Sequence, residues 1–316
     1  GREETASLGP EVMHKVFEGA GWAAIRTSPR NPDDDIAFIF RSSRFGSVSH
    51  AHANNNDFIL HVAGTALTTP SGYYIGYGSP HHATWVWHTK SHNCATLSDS
   101  SQKMRSFEST GEIVNSFEND DLVYFCGRAD ASYSHVAERY RRHVLYLKDQ
   151  KAFVLIDEFV AKSGFPACYQ WNIHTEHHVT MSHEDRTFAI DDAYGSNRQP
   201  KLLGTMMYPE NCYWTLTDGW DPPPAVGVMG KDVPNQHHLK FSTGSLIEKV
   251  NLPVILRAEW AENPACEFEW RREEQANTAF LPNAEISVFT DGEELAKAMV
   301  KGCPYTINDN GIARTT

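Results

Sequence analysis

The sequence predicts an all-β protein, a large antiparallel β-sandwich of two stacked sheets with a few short helices. Short runs of alternating apolar and polar residues recur along the chain, and Gly, Asn, Asp and Pro separate them. In the run Asp57–Gly64, for example, Phe58, Leu60 and Val62 fall on one face of a strand. So many strands in one domain favour two stacked sheets, because a single open sheet of that size tends to curl or split.

Further strands are predicted wherever this alternation recurs. A hairpin is predicted where Val144–Leu147 and Ala152–Val160 flank the short polar connection Lys148–Lys151. The other predicted strands are Gly21–Arg26, Ile36–Arg41, Leu122–Cys126, Ala167–His174, Val179–Ser182, Thr187–Ile190, Lys201–Met207, Tyr213–Thr217, His238–Thr243, Val254–Trp260 and Glu285–Phe289.

Two short helices and three segments complete the predicted organisation. Pro10–Glu18 is long enough for two helical turns, and Glu293–Lys301 is predicted to be a helix that ends at Gly302. The three predicted segments are a linker at residues 1–20, the β-sandwich at residues 21–245, and a smaller β-rich part with one short helix at residues 246–316.

The composition excludes several classes of protein. A net charge of −12 argues against general nucleic-acid binding, so a polyanionic ligand would need a local cationic cleft. No apolar run approaches the roughly 20 residues of a membrane span, so no membrane partner is expected. The first ten residues show no secretion signal, and a periplasmic and a cytoplasmic location both stay open. The six scattered cysteines form no Cys-x-x-Cys pair, and we expect mostly buried free thiols.

Histidines are concentrated in one part of the chain. If His50 and His52 lie on a strand, their side chains point to the same face. Two imidazoles on one face are suited to binding a metal, or to combining proton transfer with a ligand role. The alternative is a set of surface histidines that bind backbone groups. Seven of the 16 histidines fall in this region, namely His50, His52, His61, His81, His82, His88 and His92.

Several spaced motifs in the same region resemble those of one enzyme family. They are Gly46-Ser47-Val48-Ser49-His50-Ala51-His52, Phe58, Ser71-Gly72-Tyr73-Tyr74, Ser79-Pro80-His81-His82, Thr89-Lys90-Ser91-His92-Asn93, Tyr140-Arg141-Arg142-His143-Val144, Ile156-Asp157-Glu158 and Trp171-Asn172-Ile173-His174. Together they resemble the β-sheet half of the heparinase II/III-like polysaccharide lyases, and most closely the alginate and oligoalginate lyases.

The resemblance implies a lyase that cuts uronic-acid polysaccharides by β-elimination, with alginate as the expected substrate. It implies catalytic roles for His50 and Tyr74. In some members zinc is held by histidines that match His52 and His92 together with an Asp. That carboxylate position is Pro70 here, so either Asp57 or a nearby histidine substitutes for it, or the metal is lost.

The family builds its site between this sheet domain and an N-terminal α/α toroid. The chain lacks the many amphipathic helices of a toroid, so we expect it to be the C-terminal half of a longer or split lyase. The toroid, as a domain or a chain, is therefore an expected partner, and an acidic polysaccharide or oligosaccharide is the expected ligand.

Four residues are candidates for substrate binding. Tyr77 and Trp85 have rings that can stack on sugars, His82 follows the Ser-Pro turn, and Arg141 can clamp a carboxylate. On a strand, Trp85 would share a face with Trp87. Packing inside the protein is the competing interpretation for each aromatic residue.

Two other functions stay open. One is a non-catalytic sandwich that binds acidic carbohydrates. The other is a small-molecule metalloenzyme of the β-sandwich or cupin type, which the His50-x-His52 pair fits although no carboxylate ligand has a clear position.

Overall fold

A computed structural model describes residues 13–73, 76–209, 211–224, 233–290 and 294–315, and nearly all of its regular structure is antiparallel strand. In chain order the strands are β1 Met13–Phe17, β2 Trp22–Arg26, β3 Ile36–Arg41, β4 Asp57–Val62, β5 Thr65–Ala66, β6 Ala95–Leu97, β7 Glu112–Glu118, β8 Leu122–Arg128, β9 Ala137–Leu147, β10 Ala152–Ala161, β11 Tyr169–Thr175 and β12 His178–Ser182. They continue as β13 Thr187–Asp191, β14 Lys201–Met206, β15 Cys212–Asp218, β16 His237–Thr243, β17 Lys249–Glu259, β18 Glu269–Arg272, β19 Ala276–Leu281, β20 Ala284–Phe289, β21 Ala296–Val300, β22 Cys303–Asn308 and β23 Gly311–Arg314. The all-β prediction is confirmed.

The remaining regular structure is limited to single helical turns. In the described ranges, no helix has the length and apolar character that crossing a bilayer requires. The turns are three 3-10 helices, Pro32–Asp34, Thr89–Ser91 and Asp130–Tyr133, and one π-helical turn, His82–Val86.

The described strands form four antiparallel sheets. The largest has eight strands in the order β12-β13-β14-β17-β10-β9-β8-β7, and we call it the central sheet. Strands β1 to β5 form a second sheet, β15-β16-β11-β6 a third, and β18 to β23 a fourth that we call the C-terminal sheet. The predicted hairpin is β9 and β10, in which Leu147 faces Ala152.

Both faces of the central sheet are buried in apolar cores. Val144 and Tyr146 of β9 belong to a core shared with the second and third sheets. Leu145 and Leu147 point the other way, into a core shared with the C-terminal sheet. This explains why the middle strands are continuously apolar, whereas a strand with one solvated face alternates. The C-terminal sheet therefore adds a third layer to the two that the sequence predicts.

Both predicted helices are wrong over the residues that the structure describes. In the first, residues 10–12 lie outside the described ranges and Met13–Phe17 is β1, paired with β2. In the second, Ala296–Val300 is β21, which pairs with β20 and β22, and position 293 lies outside the described ranges. Alternate residues of β21 are buried, so pairing on both sides overrides the helix-forming composition of this segment.

The predicted division into three segments stays a prediction. Strand β17, which follows residue 245, pairs with β10 and β14 in the middle of the central sheet. The cysteines are free thiols as expected, but only Cys94 and Cys126 are buried and the other four are half-buried.

Candidate functional site

His50 and His52 lie in the loop between β3 and β4, so the prediction that they share a strand is wrong. Ser49 adopts a φ of 58°, a left-handed conformation that ends any extended run before His50. The His50 side chain is exposed and that of His52 is half-buried. The loop therefore presents the two imidazoles in different surroundings.

The buried side chain of Asn55 holds this loop in place. Its amide oxygen accepts the N–H of Ser43 at 2.8 Å, and its amide nitrogen donates to Ser109 O at 2.9 Å and Ser132 Oγ at 2.8 Å. Its own backbone N–H donates to Gln102 Oε1 at 2.9 Å. Four hydrogen bonds to separate parts of the chain fix the loop that carries both histidines.

A buried ion pair connects the histidine loops to the central sheet. Arg142 of β9 donates Nε and Nη2 to the carboxylate of Asp157, both at 2.7 Å, and neither side chain is exposed. Its Nη1 donates to the backbone oxygens of Asn56 at 2.7 Å and Asn93 at 2.6 Å. Asn56 precedes Asp57, and Asn93 follows His92. One guanidinium thus joins the two segments that carry the predicted metal ligands.

The structure brings the predicted metal ligands His52 and His92 together. Their ring centroids are 5.2 Å apart, and His92 Nδ1 lies 3.1 Å from Asp57 Oδ2. Burial, followed by the nearby His92, lowers the pKa of His52 to about 3. Burial opposes ionisation of Asp57, but hydrogen bonds from His92, Asn54 and the Asn93 backbone outweigh it, so its pKa lies below the usual value.

These residues do not fit a zinc ion as they stand. His92 Nε2 lies 3.2 Å from Val86 O, so each ring nitrogen of His92 already faces an oxygen acceptor. Among the residues that the structure describes, no three His, Cys, Asp or Glu are grouped so that they can hold a metal. Zinc at His52 and His92 stays a prediction.

A second group of side chains surrounds His82, and we call it the His82 cluster: His50, Tyr77, His82, Trp87 and Arg105. The buried His82 ring accepts the N–H of Gly78 at 3.1 Å, and its centroid lies 4.8 Å from that of Tyr77 and 5.3 Å from that of Trp87. Burial lowers the pKa of His82, and the nearby Arg105, His81 and His50 lower it further. The cluster thus combines the predicted residues His50, Tyr77 and His82.

Arg105 is the member of the His82 cluster that sequence reasoning missed. Its guanidinium carbon lies 4.5 Å from the ring centroid of Trp87. An isolated arginine in a polar loop gives no signal in the sequence, because only folding brings it to Trp87.

The Ser71-Gly72-Tyr73 turn lies against the same region. Gly72 has a φ of 93°, and a Cβ there would lie 2.9 Å from both His81 Nε2 and Trp85 Cδ1, so glycine is required. The Tyr73 hydroxyl donates to Glu176 at 3.1 Å, and burial together with Glu176 raises the pKa of Tyr73. The predicted catalytic residue Tyr74 lies outside the described residues.

Trp85 is buried instead of facing a groove. The residue is 6% exposed, its indole N–H donates to Ser71 Oγ at 3.1 Å, and Lys90 Nζ lies 5.1 Å from the ring centroid. The predicted strand with Trp85 and Trp87 on one face is wrong, because Trp85 belongs to the helical turn His82–Val86. Here the competing interpretation, packing inside the protein, describes the position of Trp85.

The structure does not bring Arg141 to the histidines. Its guanidinium lies 3.1 Å from Asp309, in the β22–β23 turn, and 3.6 Å from Asp130. Arg142 points to the opposite face of β9, where its guanidinium lies over the ring of Phe58. Arg141, which we expected to bind substrate, is therefore paired with carboxylates of the protein itself.

Solved structures with a similar fold include proteins named heparan sulfate lyase and heparinase III. They include heparan sulfate lyase HepC from Pedobacter heparinus, with 13% identity, a TM-score of 0.68, and coverage of 97% of this chain and 42% of that chain. The heparinase III BT4657 gene product has 17% identity, a TM-score of 0.68, and coverage of 98% and 43%. The chain spans less than half the length of these proteins. At these identities the likeness shows the fold alone.

The family match is more direct. The family model described as "Heparinase II/III-like, C-terminal" matches residues 10–220, which is about two thirds of the chain. That range contains the loop with His50 and His52, the His82 cluster and the Arg142–Asp157 pair. No curated protein matches the chain. The chain belongs to the heparinase II/III-like family, and its residues 10–220 match the C-terminal part of that family.

Proposed function

We propose that this chain is the β-sheet part of a polysaccharide lyase that cleaves uronic-acid glycans by β-elimination. In that reaction a base takes the proton from C5, the C4–O bond breaks, and a C4–C5 double bond forms. The leaving oxygen needs an acid, and the uronate carboxylate needs neutralisation. The observation that carries the proposal is the exposed His50 imidazole, which lies on a loop fixed by Asn55 and close enough to His82 to affect the pKa of that residue.

We propose separate roles for His50, Tyr74 and Tyr77. His50 is exposed and can reach a bound sugar, so it takes part in proton transfer or in neutralising the carboxylate. Tyr74 assists in catalysis, as the motif resemblance implies. Tyr77, which is 66% exposed beside the buried His82, offers its ring to a sugar face. We propose that a helical toroid supplies the remaining catalytic groups.

Alginate is the substrate that the motifs favour, and we propose it over heparan sulfate. The unsaturated product absorbs in the ultraviolet, so both polymers can be compared directly with the complete protein. Faster elimination on alginate supports this choice, whereas activity confined to heparan sulfate would overturn it and leave the lyase proposal intact.

His50→Ala in the complete protein tests the proposal. Loss of a group that transfers a proton in the transition state lowers kcat by about 100-fold or more. His178→Ala is the matched control, because His178 is an exposed histidine of β12 in another part of the fold. An unchanged rate for His50→Ala would refute the role of His50.

A non-catalytic binding function is the second candidate, and the exposed ring of Tyr77 is the observation that favours it. Calorimetry on this chain with oligouronates separates the two functions when the elimination assay is run alongside. Binding without any absorbance increase in the complete protein would favour the binding function.

A further inference from the structure

We propose that Arg105 binds an anionic group, a carboxylate or a sulfate, on the sugar that occupies the His50 site. This inference rests on the proposed function and deepens it, because it assigns a specificity-determining residue to the same site. Three features support it: Arg105 is stacked on Trp87, its turn is held by hydrogen bonds, and it has no carboxylate partner among the described residues.

Arg105 is stacked on an aromatic ring, which fixes the plane of its guanidinium. The 4.5 Å separation from the Trp87 centroid is within the range of a cation–π contact. Stacking on a ring face leaves the N–H groups at the edge of the guanidinium available. Those N–H groups match the two oxygens of a carboxylate or sulfate, which a flexible lysine does less well.

The turn that carries Arg105 is bound to the loop that carries His50. Ser47 donates its N–H to Ser106 O at 2.9 Å and its hydroxyl to Lys103 O at 2.5 Å, and its Oγ accepts the Ser106 N–H at 3.2 Å. Gly46 has a φ of 74°, and a Cβ there would lie 2.6 Å from Ser106 O. The Gly46-Ser47 part of the histidine motif therefore holds Arg105 in position relative to His50.

The backbone of Arg105 itself supports a specific placement. Its φ of 54° is a left-handed conformation that costs free energy for a residue with a side chain. The hydrogen bonds of Ser47 to both sides of Arg105 maintain this conformation.

Two cations close to Arg105 in the chain are paired with carboxylates, whereas Arg105 has no such pair among the described residues. Lys103 Nζ lies 2.7 Å from Glu108, and Arg44 Nη2 lies 2.6 Å from Glu112. Over the ranges that the structure covers, Arg105 has no carboxylate within ion-pair distance. On a chain with a net charge of −12, an uncompensated cation beside two histidines provides the local positive potential that an acidic glycan requires.

The test is binding of defined oligosaccharides to this chain and turnover by the complete protein. The probes are an alginate oligomer, which carries carboxylates alone, dextran sulfate, which carries sulfates alone, and unmodified dextran. The variants are Arg105→Ala and Arg105→Lys. Arg271→Ala is the matched control, because Arg271 is an exposed arginine stacked on Phe280 at 5.2 Å in the C-terminal sheet.

We expect Arg105→Ala to weaken binding of the anionic probe by about tenfold, as loss of a charge-assisted hydrogen bond predicts. In the complete protein the loss should be mainly an increase in KM, and Arg105→Lys should recover part of it. Loss on the alginate oligomer alone identifies a carboxylate site, and loss on dextran sulfate alone identifies a sulfate site. Dextran should not respond.

Two outcomes would overturn the assignment. One is unchanged binding and KM in a folded Arg105→Ala protein with an unaltered Tm. The other is an equal loss in Arg271→Ala, which would show a general effect of charge. If the complete protein eliminates no substrate yet Arg105→Ala still weakens anion binding, the lyase proposal fails and the Arg105 site stands.

Discussion

Arg141 and Arg142 are neighbours on β9, yet the fold gives them different partners. Arg142 is fully buried and binds Asp157 and two backbone oxygens beneath the histidine loops. Arg141 points to the opposite face and meets Asp309 of the C-terminal sheet at a partly exposed contact. One face of the central sheet therefore supports the candidate site through a buried polar network, whereas the other face serves to attach a further layer.

This difference shows how a β scaffold can hold loops with precision. Loop backbone carries polar groups that must be satisfied, and Arg142 satisfies two of them from the sheet. The histidine loops are consequently held by Arg142 of the central sheet, which binds their backbone oxygens, and by the hydrogen bonds of Asn55. The described contacts of Arg141 do not reach these loops, although both arginines belong to the same motif, Tyr140-Arg141-Arg142-His143-Val144.

The largest expected effect comes from breaking the buried pair. Asp157→Asn leaves the buried charge of Arg142 without its counterion, and the free energy of unfolding should fall by about 3–5 kcal/mol. Urea unfolding followed by fluorescence measures it. Oligosaccharide binding should also weaken, because Arg142 holds both histidine segments.

The equivalent change on the other face provides the control. Asp309 is about half exposed, so Asp309→Asn should cost less than about 1 kcal/mol. Equal losses for the two variants would contradict the view that the two faces differ in function.

Much of the scaffold is predictable from the sequence, because strands with one buried face alternate apolar and polar residues. The hairpin β9–β10 and the strand β4 follow directly from their apolar pattern. The C-terminal strands are harder, since Ala296–Val300 is composed of residues that also form helices. Its strand conformation depends on β20 and β22, which are contacts that no local pattern contains.

The site is less predictable than the scaffold. The histidine motifs identify the right segments, and the fold does bring His52 to His92 and His50 to His82. The strand geometry assumed for His50 and Trp85 is wrong, since backbone turns depend on tertiary hydrogen bonds. No local pattern identifies Arg105, because its position depends on stacking against Trp87 and on the hydrogen bonds of Ser47 to the same turn.

The second prediction concerns how the free energy of unfolding depends on pH. A buried histidine behind the histidine loops and a buried glutamate on the face toward the C-terminal sheet should affect it in different pH ranges. Burial lowers the pKa of His174, which lies behind the histidine loops, to about 3 from its ordinary 6.5. Between these values the unfolded chain binds a proton that the folded chain does not. The stability from neutral His174 is thus complete above pH 6.5 and falls as pH decreases, by at most about 1.4 kcal/mol per pH unit.

Glu158, on the face toward the C-terminal sheet, titrates in a lower window. Burial opposes its ionisation, but the nearby His143 and a hydrogen bond from Arg139 lower its pKa to about 2. Its contribution is complete above about pH 4.5 and is lost as pH falls toward 2. His174→Gln should therefore flatten the stability profile between pH 6.5 and 4.5, whereas Glu158→Gln should leave the slope in that range unchanged and flatten the profile below it. Urea unfolding at each pH tests this, and a profile unaffected by His174→Gln would contradict the prediction.

The smallest effect is expected at Arg141, and it tests the comparison most directly. Because Asp309 and Asp130 already neutralise this arginine, Arg141→Ala should cost less than about 1 kcal/mol of stability. For the same reason KM for an acidic glycan should change by less than about twofold, against about tenfold for Arg105→Ala. Steady-state kinetics on the complete protein measure both. A large increase in KM for Arg141→Ala would mean that substrate displaces Asp309, and both faces of β9 would then contribute to recognition.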